Sequence, residues 1–223
     1  MQGSAVLAHC FTCSKDLHTT TRLARALTHA GWIVLTFDFT GLGESGGDFA
    51  TTTVTTDVGD ITRAAVALLE RDAGPCLLIG HSLGGAAAVL AARRIHSLDG
   101  VVAIASPSDV SHVRRLLRAG AEERIREEGR AEVDIGGRRF EVSATFLDDL
   151  ARHDVAEAAG ELDVPLLVIE AGADSVVGAQ QTARFAARGA TVRRIDGADH
   201  LFSERAHADA LAGVLLEWIS TLR

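Results

Sequence analysis

Long apolar runs and an excess of basic charge are missing from this chain of 223 residues, and aromatic side chains and cysteines are few. No window approaches the roughly 20 consecutive apolar residues that a membrane helix needs. The opening "MQGSAVLAHC" has only a short apolar run ending in His and Cys, without the charged start and small-residue cleavage site of a signal peptide. Aromatics make up 4% of the residues while hydrophobic residues make up 47%, mostly Ala, Val and Leu. That balance excludes an aromatic-rich all-β core and favours helices packed on a sheet. Three cysteines, an odd number in a chain too large to need disulfide stapling, favour a reducing, cytoplasmic setting. A formal net charge of −8 argues against binding nucleic acid, whose backbone demands a basic surface.

What is present is an alternation of short apolar runs with longer amphipathic stretches. Six strands are expected at 4–9, 32–39, 76–80, 100–106, 165–171 and 191–197. The middle four are almost continuously apolar, as parallel strands covered on both faces should be. Helical patterns fill 16–30, 54–72, 83–96, 178–188 and 204–222, the first closed by Gly31 just past its last turn. This β–α–β–α series predicts one α/β domain over 1–223, with a doubly wound, mostly parallel sheet and right-handed crossovers. The rhythm breaks over about 108–163. There "DVSHVRRLLRAGAEERIREEGRAEV" is charged and helical, and "VDIGGRRFEVS" predicts a hairpin turning at Gly136-Gly137. An insertion at this place is read as a lid or cap, because ligands of open α/β sheets bind beyond the strand C-termini.

The sharpest feature is "LLIGHSLGGAAAVLAARR", where Gly80-His81-Ser82-Leu83-Gly84 forms G-x-S-x-G directly between an apolar strand and an Ala-rich helix. That setting is a nucleophile elbow, with Ser82 presented at a helix N-terminus that favours developing negative charge. A serine hydroxyl needs a base, and the base needs an orienting acid. On such a fold they follow in the order acid, then His. Asp174 follows the strand at 165–171 and His200 follows the strand at 191–197. Asp109, after the strand at 100–106, is the weaker candidate for the acid. Among the other histidines, His18, His29 and His96 read as helix-surface residues, and His81 flanks the site but faces away from it in such a turn. One oxyanion donor should be the N–H of Leu83. The second should come from the loop after the first strand, His9-Cys10-Phe11-Thr12.

That loop lies in "AHCFTCSKD", whose Cys10 and Cys13 have the C-x-x-C spacing of redox dithiols and of half a zinc site. A thioredoxin-like pair would open a helix without an elbow downstream, and zinc would need two further ligands nearby, which Cys76 does not supply. The stretch is therefore assigned to the oxyanion loop. What oxidation of the pair would do to the hole stays open, and distortion is one expectation.

With these residues placed, the chain resembles the α/β-hydrolase fold family over nearly its whole length, including "DFTGLGES" at 38–45, similar to D-x-x-G-x-G-x-S. "AHCFTCSKD", "FDFTGLGESGGDF", "LLIGHSLGGAA", "DGADHL" and "FEVSATFLDDL" together resemble bacterial serine hydrolase domains often fused to an OsmC-like domain. The resemblance implies an esterase-like serine hydrolase with Phe11 N–H as second oxyanion donor, Cys10 standing where many members have glycine. It also implies that the leading antiparallel strands and the OsmC-like domain are lacking here, leaving a sheet edge that would invite pairing with another subunit. The expected reaction cleaves small to medium acyl esters. Thioester, C–C or acyl-transfer chemistry are the alternatives on the same triad. No cofactor, metal, nucleic acid or membrane partner is expected.

Overall fold

The computed structural model describes residues 2–71, 74, 76–135 and 137–222. Its centre is a six-stranded sheet of β1 (Gly3–Ala8), β2 (Trp32–Thr36), β3 (Cys76–His81), β4 (Leu98–Ile104), β7 (Leu166–Ala171) and β8 (Thr191–Ile195). The order is β2-β1-β3-β4-β7-β8 and every pairing is parallel. All six lie within two or three residues of the predicted runs.

Because side chains alternate across a strand, each run feeds two cores. Val6, Leu78, Val101 and Val168 face one apolar cluster, while Leu7, Leu77, Val102 and Leu167 face the other. The first cluster is covered by α2 (Val54–Leu69), α3 (Leu83–Ala92) and α7 (Ala179–Ala186), and the second by α1 (His18–His29) and α8 (Arg205–Ser220). Double coverage is why the central strands read as continuous apolar runs rather than alternating ones. Among the described residues no helix is long and apolar enough to cross a membrane.

The insertion departs from expectation in one respect. The charged stretch after Asp109 is not one helix but a 3-10 turn at Val110–Leu116 followed by α4 (Ala121–Glu128), which lies between left-handed Gly120 and Gly129. Two left-handed residues so close together divide what the charge pattern alone presents as continuous. The hairpin is present as β5 (Arg130–Ile135) and β6 (Arg138–Ser143), pairing Ile135 with Arg138. Gly136 of its predicted turn lies outside the described residues. Short helices α5 (Ala144–Leu150) and α6 (Val155–Gly160) complete the segment.

Buried polar contacts fasten the insertion at both ends. Gln181 Oε1 accepts from the Ser108 and Asp109 amides at 2.9 and 3.1 Å. Asp149, buried in α5, accepts from the Thr55 amide at 2.9 Å and the Thr55 hydroxyl at 2.7 Å. A carboxylate receiving one first-turn amide of α2, whose N-cap is Thr53, complements the positive end of that helix and holds the insertion to it.

Candidate active site

β3 turns into α3 through Ser82, whose backbone has φ 55° and ψ −125°. A non-glycine residue in this region is strained, and such strain persists only where the surroundings over-determine it. Here the Ser82 amide donates to Ile104 O at 2.8 Å, tying the turn to β4. A Cβ on Gly80 would lie 2.2 Å from Gly84 O, and one on Gly84 would lie 2.2 Å from His9 O. The two glycines of the motif therefore allow the turn to close and let α3 start directly against the first loop.

The loops after β7 and β8 bring two side chains to this serine. His200 Nε2 lies 3.0 Å from Ser82 Oγ, and His200 Nδ1 lies 2.8 Å from Asp174 Oδ2. A carboxylate can only accept, so Nδ1 carries the proton and Nε2 is left as the acceptor for the serine hydroxyl. Asp174 Oδ1 also accepts the Val176 and Val177 amides at 2.7 and 2.8 Å. Burial pushes the Asp174 carboxyl up, but His200 and the two amides outweigh it and hold the group below the ordinary carboxylate value. Asp109, the competing acid, instead caps the 3-10 turn through the Ser111 amide at 2.9 Å and lies 3.9 Å from Arg184 Nη1. It makes no contact with His200.

Two histidines behave differently from their sequence reading. His81 does not face away: its Nε2 donates to the backbone carbonyl of His200 at 2.7 Å, and the two rings lie 5.0 Å apart. Burial, aided by the neighbouring His200, lowers its pKa to about 3, so the ring stays neutral. His18 is not a plain surface residue either; from the first turn of α1 its Nε2 reaches Phe202 O at 3.2 Å, and the Thr19 hydroxyl donates to Leu201 O. The loop carrying His200 is thus held at three successive carbonyls. Tight packing of α1 against this loop could not be read from a helical pattern. That the residue before the serine is itself a histidine was the available signal.

His81→Phe keeps a ring in place but leaves the His200 carbonyl without its donor, a cost of about 1–3 kcal/mol for a buried group. The expected result is a kcat about tenfold lower with KM little changed, and His81→Gln, which can still donate, recovers most of the loss. Steady-state kinetics of the two variants on one ester separate this from a packing defect, which both would share.

The first loop packs against the start of α3. His9 is fully buried; its Nδ1 donates to Cys10 O at 2.8 Å and its Nε2 accepts the Phe39 amide at 3.2 Å. Burial lowers the His9 pKa, keeping the neutral form those two bonds require. Asp38 accepts the Lys15 amide at 2.7 Å and the Glu44 amide at 2.9 Å, drawing the "DFTGLGES" loop and the segment after Cys13 together. Leu83 opens α3, so its amide has no carbonyl one turn behind it. Among the described residues neither the Leu83 nor the Phe11 amide has an acceptor. Phe11 stacks on Phe146 of the insertion at 5.3 Å, and Arg138 Nη1 donates to Thr12 O at 3.0 Å. Cys10 and Cys13 are joined by a disulfide, and Cys76 is free and buried in β3. Among the described residues no group of His, Cys, Asp or Glu is arranged to hold a metal ion.

The profile of the Alpha/beta hydrolase family matches residues 5–214. The esterase domain of a Rhodothermus marinus protein is 35% identical, the alignment covering 97% of this chain and 86% of that one, with a TM-score of 0.75. Alpha/beta hydrolase domain-containing protein 10 from mouse shares the fold at 21% identity and TM-score 0.80, covering 100% of this chain and 93% of its own. Est1E from Butyrivibrio proteoclasticus, solved with ferulic acid bound, does so at 20% identity and TM-score 0.81, with coverage of 98% and 90%. No curated protein sequence matches.

Proposed function

Starting from a chain that belongs to the alpha/beta hydrolase family, we propose that this protein is a serine hydrolase cleaving small to medium acyl esters through an acyl-enzyme. Ser82 attacks the ester carbonyl while His200 Nε2 takes its proton. Asp174 keeps the imidazole in the required tautomer and stabilises the imidazolium that forms. The Leu83 and Phe11 amides, with the N-terminal dipole of α3, receive the oxyanion. His200 returns the proton to the leaving alcohol, and water releases the acid by the same steps in reverse.

One observation carries this reading: the unbroken line from Ser82 Oγ to His200 Nε2 at 3.0 Å and from His200 Nδ1 to Asp174 at 2.8 Å. The esterase domain at 35% identity supports ester chemistry. Residues 108–163 serve as the lid or cap, supported by the contacts that Phe146 and Arg138 make with the first loop. The nearer kinship with domains often fused to an OsmC-like domain rests on the segments quoted above. A cytoplasmic location rests on the composition.

A fluorophosphonate probe, which mimics the tetrahedral species, tests the assignment. The purified chain is expected to take up one equivalent, mapped by peptide mass to Ser82, with matching loss of ester turnover. Turnover that survives full labelling, or a label on another residue, would falsify it.

A further inference from the structure

The oxyanion reading absorbs the first loop but leaves its C-x-x-C unexplained. In the structure the two cysteines are bonded, their Cα atoms 5.3 Å apart, and the ring so closed contains Phe11 and Thr12. Within it the Cys13 amide donates to Cys10 O at 3.1 Å, and Thr12 sits at φ 61°. A β-branched residue in the left-handed region is a costly arrangement, of order 1–3 kcal/mol, that surrounding restraints must hold. The restraints are the disulfide from within and, from the insertion, the Arg138 bond to Thr12 O and the Phe146 stack on Phe11. The bonded loop coexists with Ser82, His200 and Asp174 at hydrogen-bonding distance and with a Phe11 amide that has no acceptor among the described residues.

The two sulfurs also differ. Cys10 is 4% exposed, whereas Cys13 is only partly buried. The third cysteine, Cys76, is fully buried in β3, and burial raises its thiol pKa, so it takes no part.

Resting on the hydrolase reading and on Phe11 N–H as a donor, we infer that Cys10 and Cys13 form a thiol–disulfide exchange site for low-molecular-weight thiols and disulfides, and that the bonded state is the faster esterase. A small thiolate attacks Cys13 Sγ, the S–S bond breaks, and its electron pair leaves on Cys10 Sγ, which takes up a proton. A second small thiol attacks the mixed disulfide, releasing the small-molecule disulfide and leaving Cys13 as a thiol. Two thiols are oxidised to one disulfide while the protein disulfide is reduced, and the reverse runs from the small-molecule disulfide. Exchange of this kind is the usual role of disulfides in cytoplasmic proteins. Reduction removes the internal restraint on Thr12, and the Phe11 amide leaves the place where the oxyanion forms. Misplacing one such donor lowers kcat by about tenfold or more.

The test uses the full chain equilibrated in reduced or oxidised glutathione buffers. Alkylation and peptide mass report the state of Cys10 and Cys13, and each state is assayed for ester turnover. On reduction kcat is expected to fall about tenfold with KM little changed, and to recover on reoxidation. The double variant Cys10→Ser/Cys13→Ser is expected to sit at the reduced value and to ignore the buffer. Equal or faster turnover in the verified reduced state would overturn the proposal, as would a pair that never bonds in oxidised glutathione. If neither state turned over ester or accepted the phosphonate, the hydrolase reading itself would fall, and the alkylation masses would still decide whether the pair exchanges.

Discussion

Alanine at Ser82, alanine at His200 and the two together are expected to lower kcat for a chromogenic short-chain ester by nearly one common factor, roughly a millionfold. The serine oxygen is a nucleophile only while Nε2, 3.0 Å away, can take its proton. Removing either partner therefore removes the same step, and removing both removes it once. A residual rate above the uncatalysed one should survive, because the Leu83 and Phe11 amides, the proposed oxyanion donors, would still polarise a bound carbonyl. Asp174→Asn is expected to cost about 10,000-fold. The geometry could survive that change, but the amide can donate to Nδ1 and so favour the tautomer in which Nε2 carries the proton. Steady-state assays on variants of unchanged circular dichroism check this. Losses that multiply in the double variant would mean that the two side chains act independently and that the relay is not the machinery.

Stability should fall steeply as pH drops below about 6.5, well before ordinary carboxylates titrate. The cause is burial of His81, His9 and His112, each of which has its pKa lowered chiefly by desolvation, His81 to about 3. In the unfolded chain these rings take up protons near 6.5. Below that value the unfolded state binds protons that the folded state refuses, so the stability present above 6.5 is lost as pH falls toward the folded values. One such site gives a slope of about 1.4 kcal/mol per pH unit, and His81 over its whole window accounts for on the order of 4–5 kcal/mol. Asp57 acts in the opposite sense. Burial and the nearby Asp60 and Asp149 carboxylates raise its pKa, so the folded state takes up that proton first and gains stability as pH falls. Three lowered rings oppose this one raised carboxyl, and the expected balance is a net loss. The depressed carboxyls of Asp38, Asp149 and Asp174 add to it only below their ordinary value near 3.8. Urea midpoints from pH 7.5 to 4.5 measure the slope. His81→Gln, which cannot titrate, should flatten it by about one proton, and an unchanged slope would exclude His81 as the source.

The strands, the elbow and the order of Ser82, Asp174 and His200 were legible in the sequence because each is encoded locally. An apolar run covered on both faces is read from its own residues. A G-x-S-x-G between strand and helix is read from the strain that its turn imposes, seen here as φ 55° at Ser82. The break in the insertion was less legible, because charge pattern does not reveal that Gly120 and Gly129 turn left-handed.

What tertiary structure alone decided are contacts between segments far apart in the chain. That Asp174 rather than Asp109 reaches His200 follows from strand order, which sets β7 between β4 and β8 and brings the β7 and β8 loops side by side. His81 reaching the His200 carbonyl, and Arg138 reaching Thr12, span more than a hundred residues each and leave no periodic trace. Even the C-x-x-C, visible at once as a spacing, took its meaning from outside itself. The insertion packs on that loop through Phe146 and the start of α3 abuts it at His9, so the bond encloses the residue whose amide we propose as an oxyanion donor. Local patterns record burial and backbone strain, whereas the pairing of one polar group with another depends on where the rest of the fold carries them.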